Sequence, residues 1–151
     1  MSTLVSDRQG VLVRCSSCGK MNRRRFEHVN RTIRCGNCHT ILPLPAEPVE
    51  APDVASFEAL VEHTTVPVIV DFWAPWCAPC RMMAPELETA ARNLAGRALF
   101  IKVDTDAVPE LGERFRIRSI PTLALFRNGR EISRVAGVRP AAEIEALAGR
   151  A

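Results

Sequence analysis

The sequence predicts an α/β protein, a mixed central sheet flanked by helices, with a small cysteine-rich module in front. Three observations point there. The nearly continuous apolar, β-branched run Pro67-Val-Ile-Val-Asp-Phe-Trp73 lies between two stretches of helical apolar spacing. An Asn128-Gly129 pair separates two short apolar segments. Four of the six cysteines crowd between Cys15 and Cys38, while Cys77 and Cys80 stand apart.

Taken in order, residues 11–41 are polar and arginine-rich, with short apolar stubs (Val11 to Val13, Thr32 and Ile33) leading into each cysteine pair. Short strands feeding metal loops fit that pattern. Four prolines between Pro43 and Pro52 keep the next stretch extended and spacer-like, with room for a short strand near Val49. Phe57, Leu60 and Val61 mark a helix, and the run ending at Trp73 a strand buried on both faces. Met83, Leu87, Ala91 and Leu94 mark a second helix, residues 99–104 a second strand, and Leu111 with Phe115 a third helix. The order βαβα implies a parallel crossover. Segments 122–126 and 131–136 then form an antiparallel hairpin around Asn128-Gly129, and Pro140 opens a last helix carrying Ile144, Leu147 and Ala148. The expected division is a module over residues 1–44, a linker over 45–54 and the main domain over 55–151.

Charge divides along the same line. Residues 1–44 carry eight Lys/Arg against two Asp/Glu, and the remainder twelve against fifteen. The start of the chain lacks the apolar core of a secretory signal, and no apolar run approaches the ~20 residues of a membrane helix. A cytoplasmic protein without membrane contact is expected. In that compartment thiols stay reduced, so CxxC pairs point to metal binding or redox catalysis.

Trp76-Cys77-Ala78-Pro79-Cys80 sits where the buried strand gives way to the second helix. The partial positive end of that helix stabilises a thiolate at Cys77, lowering its pKa from about 8.5 toward neutrality. Cys77 is then the exposed nucleophile and Cys80, one turn inside, the resolving thiol. Two cysteines so spaced can close a disulfide across one turn, which permits reversible two-electron exchange. A half metal site is the bland alternative, and no second ligand pair follows in this part of the chain. Asp71 draws attention for its own reason: a carboxylate in an apolar strand is costly unless paired, neutral or exposed at a sheet edge.

The segment from Phe72 through Trp76-Cys77-Ala78-Pro79-Cys80 to Pro85 resembles the active site of thioredoxins, and the likeness extends over about 51–151. Asp71, Lys102, Ile120-Pro121-Thr122, Asn128-Gly129 and Gly137 match in family order. The resemblance implies a thioredoxin fold, with Asp71 taking the proton of the resolving thiol through water and Lys102 beside it. It also implies a cis Pro121 facing the cysteines and a shallow apolar groove of Trp76, Ile120, Pro121 and Gly137 around the Cys77 sulfur, with Ala78 and Pro79 among the substrate-binding residues. Ala78-Pro79 departs from the family's Gly-Pro, which leaves the redox potential open.

In the front module, Cys15-Ser-Ser-Cys18 and Cys35-Gly-Asn-Cys38 are separated by sixteen residues, within the spacing of a four-cysteine zinc site. One structural zinc ion is expected, with a rubredoxin-like iron as the rival. Gly19 and Gly36 would ease the two turns, and His28 and His39 are expected at the surface. The run Asn22-Arg-Arg-Arg-Phe26, with Arg31 and Arg34, could contact phosphate, neutralise the anionic centre or form a solvated face. Nucleic acid is not the expected partner. A zinc ribbon ahead of such a domain resembles the bacterial thioredoxin 2 group.

The expected function is therefore general protein-disulfide reduction by a monomer, open to modulation through oxidation of the zinc thiolates. With no G-x-G-x-x-G, the chain shows no sign of binding nicotinamide or flavin itself. The resemblance supplies an NADPH-dependent flavoprotein, thioredoxin reductase, as electron donor. It supplies peroxiredoxins, methionine sulfoxide reductase and ribonucleotide reductase as candidate substrates. The competing reading is a zinc-ribbon module for nucleic acid or protein that uses the second domain as a docking scaffold.

Overall fold

The computed structural model describes residues 3–151. Its strands are β1 (Leu4–Ser6), β2 (Gly10–Arg14), β3 (Met21–Arg25), β4 (Ile33–Arg34), β5 (Ile41–Leu42), β6 (Val49–Glu50), β7 (Val68–Trp73), β8 (Leu99–Asp104), β9 (Thr122–Arg127) and β10 (Arg130–Ala136). Its α-helices are α1 (Val54–His63), α2 (Ala78–Asn93), α3 (Pro109–Arg114) and α4 (Ala141–Ala148). Every element anticipated from periodicity is present, and the β9–β10 turn carries positive φ at both Asn128 (54°) and Gly129 (80°), as a type I′ turn requires.

Eight strands form one mixed sheet in the order β10-β9-β7-β8-β6-β1-β2-β3, and β4 pairs with β5 in a separate ribbon. The central β7 is parallel to β8 and antiparallel to β9, so both its edges are hydrogen-bonded. Its side chains divide cleanly by pleat. Val68, Val70 and Phe72 join Phe57 and Leu60 of α1 and Leu111 of α3 on one face. Ile69 joins Met83 and Leu87 of α2 and Ile144 and Leu147 of α4 on the other. Asp71 therefore faces α2, the helix that carries Cys80.

Strand β1 had no counterpart in the sequence reading. Three residues, Leu-Val-Ser, are too short to show a period, and what makes them a strand lies far along the chain. Leu4 and Val5 pair in parallel with Val49 and Glu50, Val5 and Ser6 pair with Leu12 and Val11, and the Ser6 hydroxyl donates to the Glu50 carbonyl. The proline-rich stretch is likewise more than a spacer: β6 docks between β1 and β8, with Val49 and Ala51 buried. Val11, Val13, Phe26 and Val29 bury into the same apolar cluster as α1. Front and rear of the chain thus share one sheet and one side of its core.

Candidate active site and metal centre

Strand β7 ends at Trp73, and the turn that follows places Cys77 at the N-cap of α2. Cys77 and Cys80 form a disulfide. The Cys80 backbone N–H donates to Cys77 Sγ at 3.2 Å, so one of the unpaired amides at the helix start points at the sulfur that would carry thiolate charge. Cys77 Sγ also lies 3.7 Å from the Ile120 carbonyl oxygen. The Ile120–Pro121 bond is cis. The Gly137 N–H donates to the Pro121 carbonyl at 2.9 Å, which ties the loop after β10 to this corner. Gly137 has φ of 92° and open space where a Cβ would stand, so its glycine serves the backbone angle and not a close contact.

Cys77 is not the exposed thiol expected from its place at the helix start. Cys77 is only 3% exposed, as closed in as Cys80 at 2%. In the disulfide its sulfur sits in a cluster with Cys80, Ala74, Trp73 and Ile120. The accessible element is the apolar rim, where Trp76 is 68% exposed and Val138 stands open beside Gly137. Trp76 is held outward because its indole N–H donates to Asp106 at 2.7 Å, a partner thirty residues away that no local pattern signals.

Asp71 is 2% exposed, and its Oδ1 is buried without a protein partner. Burial pushes its carboxyl up to about 7, against the opposing pull of the Lys102 ammonium on the adjacent strand. Lys102 Nζ lies 4.0 Å over the Trp73 ring, a cation–π placement on the same face of the sheet. An edge-exposed Asp71 is thereby excluded.

The raised pKa has a consequence for stability. Between the unfolded value near 3.8 and the folded value near 7 the native state holds the extra proton, so stability falls as pH rises through that window and stays low above it. Asp71→Asn removes this cost. Its thermal midpoint is expected to exceed that of the wild type at pH 8 by ~5–10 °C, with the gap closing below about pH 4. Equal midpoints at pH 8, measured by calorimetry on the reduced proteins, would contradict the buried charge.

The four remaining cysteines converge. Cys15, Cys18, Cys35 and Cys38 place their sulfurs within 4.8 Å of one another, with Cys15–Cys38 and Cys18–Cys35 each at 3.6 Å. Tetrahedral zinc with Zn–S near 2.3 Å needs sulfur separations of roughly 3.8 Å, so the donor set and its spread fit that ion. The two knuckles are built alike. Cys15 N–H bonds Lys20 O and Gly19 N–H bonds Cys15 O, while Cys35 N–H bonds Thr40 O and His39 N–H bonds Cys35 O. Around Cys35, the Cys38 backbone N–H first, then the Asn22 amide and the Asn37 N–H, bring the thiol down to about 6.

The tight turns differ from expectation in one respect. Gly19 has φ of 79°, but in the second knuckle it is His39, at 64°, and not Gly36 that takes the left-handed conformation. A non-glycine residue there carries a steric cost of ~1 kcal/mol. His39→Gly is expected to stabilise the knuckle by about 0.5–1 kcal/mol, read as a higher chelator concentration needed to strip the metal.

The arginine run has structural employment. Arg24 is fully buried and donates to the carbonyls of His28, Arg31, Leu42 and Pro43, tying β3 to the stretches on either side of the Cys35–Cys38 pair. Arg23 pairs with Asp7 at 2.6 Å. Arg14 and Arg34 donate to Gly19 O and His39 O, the same position in each knuckle. The contacts of Arg24 with Leu42 and Pro43 and of Arg23 with Asp7 span sixteen to nineteen residues and left no trace in the composition.

A cysteine pair that opens and closes at a helix start, on a mixed sheet with a cis proline opposite, defines a thiol–disulfide oxidoreductase. Comparison with known proteins agrees: residues 48–149 match the family model described as Thioredoxin, and the chain belongs to the thioredoxin family. Thioredoxin C-3 of Corynebacterium nephridii is 38% identical over 135 residues, covering 89% of this chain and 91% of its own. Thioredoxin 1 of Nostoc sp. is 44% identical over 86 residues, 57% of this chain and 80% of that one. Among solved structures, a mutant thioredoxin of Halobacterium salinarum superposes with a TM-score of 0.65 at 29% identity, covering 70% of this chain and 91% of that one. The thioredoxin of Malassezia sympodialis gives 0.63 at 30%, covering 76% and 97%. Thioredoxins act on disulfides and are recharged by thioredoxin reductase. No helix among the described residues is long and apolar enough to cross a membrane.

Proposed function

We propose that the chain is a general, cytoplasmic protein-disulfide reductase of the zinc-ribbon-bearing thioredoxin 2 type, with the ribbon in residues 1–44, a connecting stretch in 45–54 and the catalytic domain in 55–151. The observation that carries this reading is the Cys77–Cys80 bond at the start of α2, with Cys77 Sγ held beside the Ile120 carbonyl where an extended substrate could pair. In the reduced protein the Cys77 thiolate attacks a substrate disulfide, that bond breaks, and a mixed disulfide forms. The Asp71 carboxylate takes the proton from the Cys80 thiol. Cys80 then attacks Cys77 Sγ, the substrate leaves as a dithiol, and the chain is left oxidised by two electrons. Trp76, Ala78, Pro79, Ile120, Pro121 and Gly137 supply the surface on which the substrate backbone rests.

Thioredoxin reductase returns the electrons, and peroxiredoxins, methionine sulfoxide reductase and ribonucleotide reductase are candidate acceptors. Cys15, Cys18, Cys35 and Cys38 would hold one zinc ion, which supplies folding free energy and leaves no open coordination position. Oxidation of those thiolates would release the metal, because disulfides do not bind it. The test is insulin reduction coupled to NADPH through thioredoxin reductase. Sustained NADPH oxidation that requires this chain is expected, and its absence would overturn the reductase reading.

A further inference from the structure

A cavity of about 330 Å³ opens beside the resolving cysteine, walled by Cys80, Arg81 and Ala84 of α2, Trp73 of β7, Lys102 of β8, and Glu50 and Thr3 from the front of the chain. The sheet register explains why Glu50 reaches it. Asp71 pairs with Lys102 across β7–β8, and Lys102 pairs with Glu50 across β8–β6. Residues in register on parallel strands share a face and lie ~4.8 Å apart. Asp71, Lys102 and Glu50 therefore stand in register across three strands on one face of the sheet, with Lys102 on the middle strand. Asp71 is buried, while Glu50 and Lys102 are partly open.

We propose that Glu50 is a positioning residue for the proton transfer at Cys80: it shares the Lys102 ammonium with Asp71 and lines the opening through which that buried site exchanges protons with solvent. The inference rests on the reading of Asp71 as the group that takes the Cys80 proton. A cation committed wholly to Asp71 would favour its carboxylate and make it a weaker base; a second carboxylate on the far side of the cation counters that. Among the described residues, the other charged or titratable groups at this row are Cys80 and Arg81 from α2, and Asp104, which follows Lys102 on β8 with its carboxylate taken by the Asp106 and Ala107 N–H groups. From β9 the residue in register with Asp71 is apolar Leu123. Glu50 owes its place to the front of the chain, since β1 pairs with β6 at Val5–Glu50 and the Ser6 hydroxyl holds the Glu50 carbonyl at 3.1 Å.

The experiment uses the reduced full-length protein and 5,5′-dithiobis(2-nitrobenzoate), which reports attack by Cys77 and resolution by Cys80 as two successive releases of coloured thiolate. Carbon NMR follows the Asp71 carboxyl in parallel. In Glu50→Gln the Asp71 titration is expected to move acidward by about half a pH unit and the second phase to slow about threefold near neutral pH, with the first phase unchanged. Glu50→Asp should restore both. Titration and second phase superimposing on the wild type in Glu50→Gln would overturn the role of Glu50. Asp71→Asn separates the two levels. If it slows the second phase while Glu50→Gln does not, the Glu50 inference alone fails; if it leaves the second phase untouched, the reading of Asp71 fails and Glu50 with it.

Discussion

Cys77→Ser is expected to lower insulin-disulfide turnover by roughly 10³-fold or more, and Cys80→Ser to stop each molecule after a single covalent event. The two outcomes differ because the two sulfurs occupy different places on one helix. Cys77 is the N-cap of α2 and receives the Cys80 N–H, so its thiolate is stabilised by an amide and by the end of the helix dipole. A serine hydroxyl at that position has far too high a pKa to ionise near pH 7, and the attack on the substrate sulfur does not begin. In Cys80→Ser the attack proceeds but nothing displaces the substrate, so a mixed disulfide through Cys77 accumulates and is visible as an added mass that a thiol reductant removes. Wild-type turnover in Cys77→Ser would end the case for this pair, whatever the family resemblance.

Stripping the metal is the second large perturbation. With a strong chelator under reducing conditions, or in Cys35→Ser, one zinc per chain is expected to be lost and residues 14–42 to lose hydrogen-exchange protection, while β7, β8 and β9 keep theirs. The apolar support around the cysteines is small, Cys15, Cys35 and Leu42 with Ile33 against them, far short of an independent core. Metal binding in such modules is worth on the order of 10 kcal/mol of folding free energy. Arg24 reinforces the prediction, because its guanidinium donates to four carbonyls on either side of the second knuckle and would lose those partners if that stretch disordered. A chain purified without metal, and fully protected in this region, would refute a structural ion.

Much of this was legible in the residues alone. The β-branched run of β7, the helical spacing of α1 and α2 and the Asn128-Gly129 turn are local patterns, and local patterns need only neighbouring residues to interpret. Both CxxC pairs of the front module and the pair at the start of α2 could be assigned a chemistry because ligand geometry and helix capping are short-range constraints. Asp71 stood out for the same reason, a charge inside an apolar strand.

What the sequence could not disclose is which distant residues meet. Strand β1 exists because β6 and β2 offer it hydrogen bonds on both edges, and its three residues carry no period of their own. Arg24 belongs to a run that could contact phosphate, neutralise the metal centre or form a solvated face, and it is fully buried on backbone carbonyls up to nineteen positions away. Trp76 is posed by Asp106, and His39 takes the turn conformation expected of Gly36. The row Asp71, Lys102, Glu50 is the clearest instance: the three residues lie in separate segments, and only the parallel register of three strands lines them up beside the cavity at Cys80. The sequence by itself determined the elements that carry a period of their own and the cysteine chemistry, which arise from short-range sterics and spacing. The tertiary structure alone decided the electrostatics around the resolving thiol, because charges separated by about twenty to fifty residues interact only once the sheet has brought them within reach of one another.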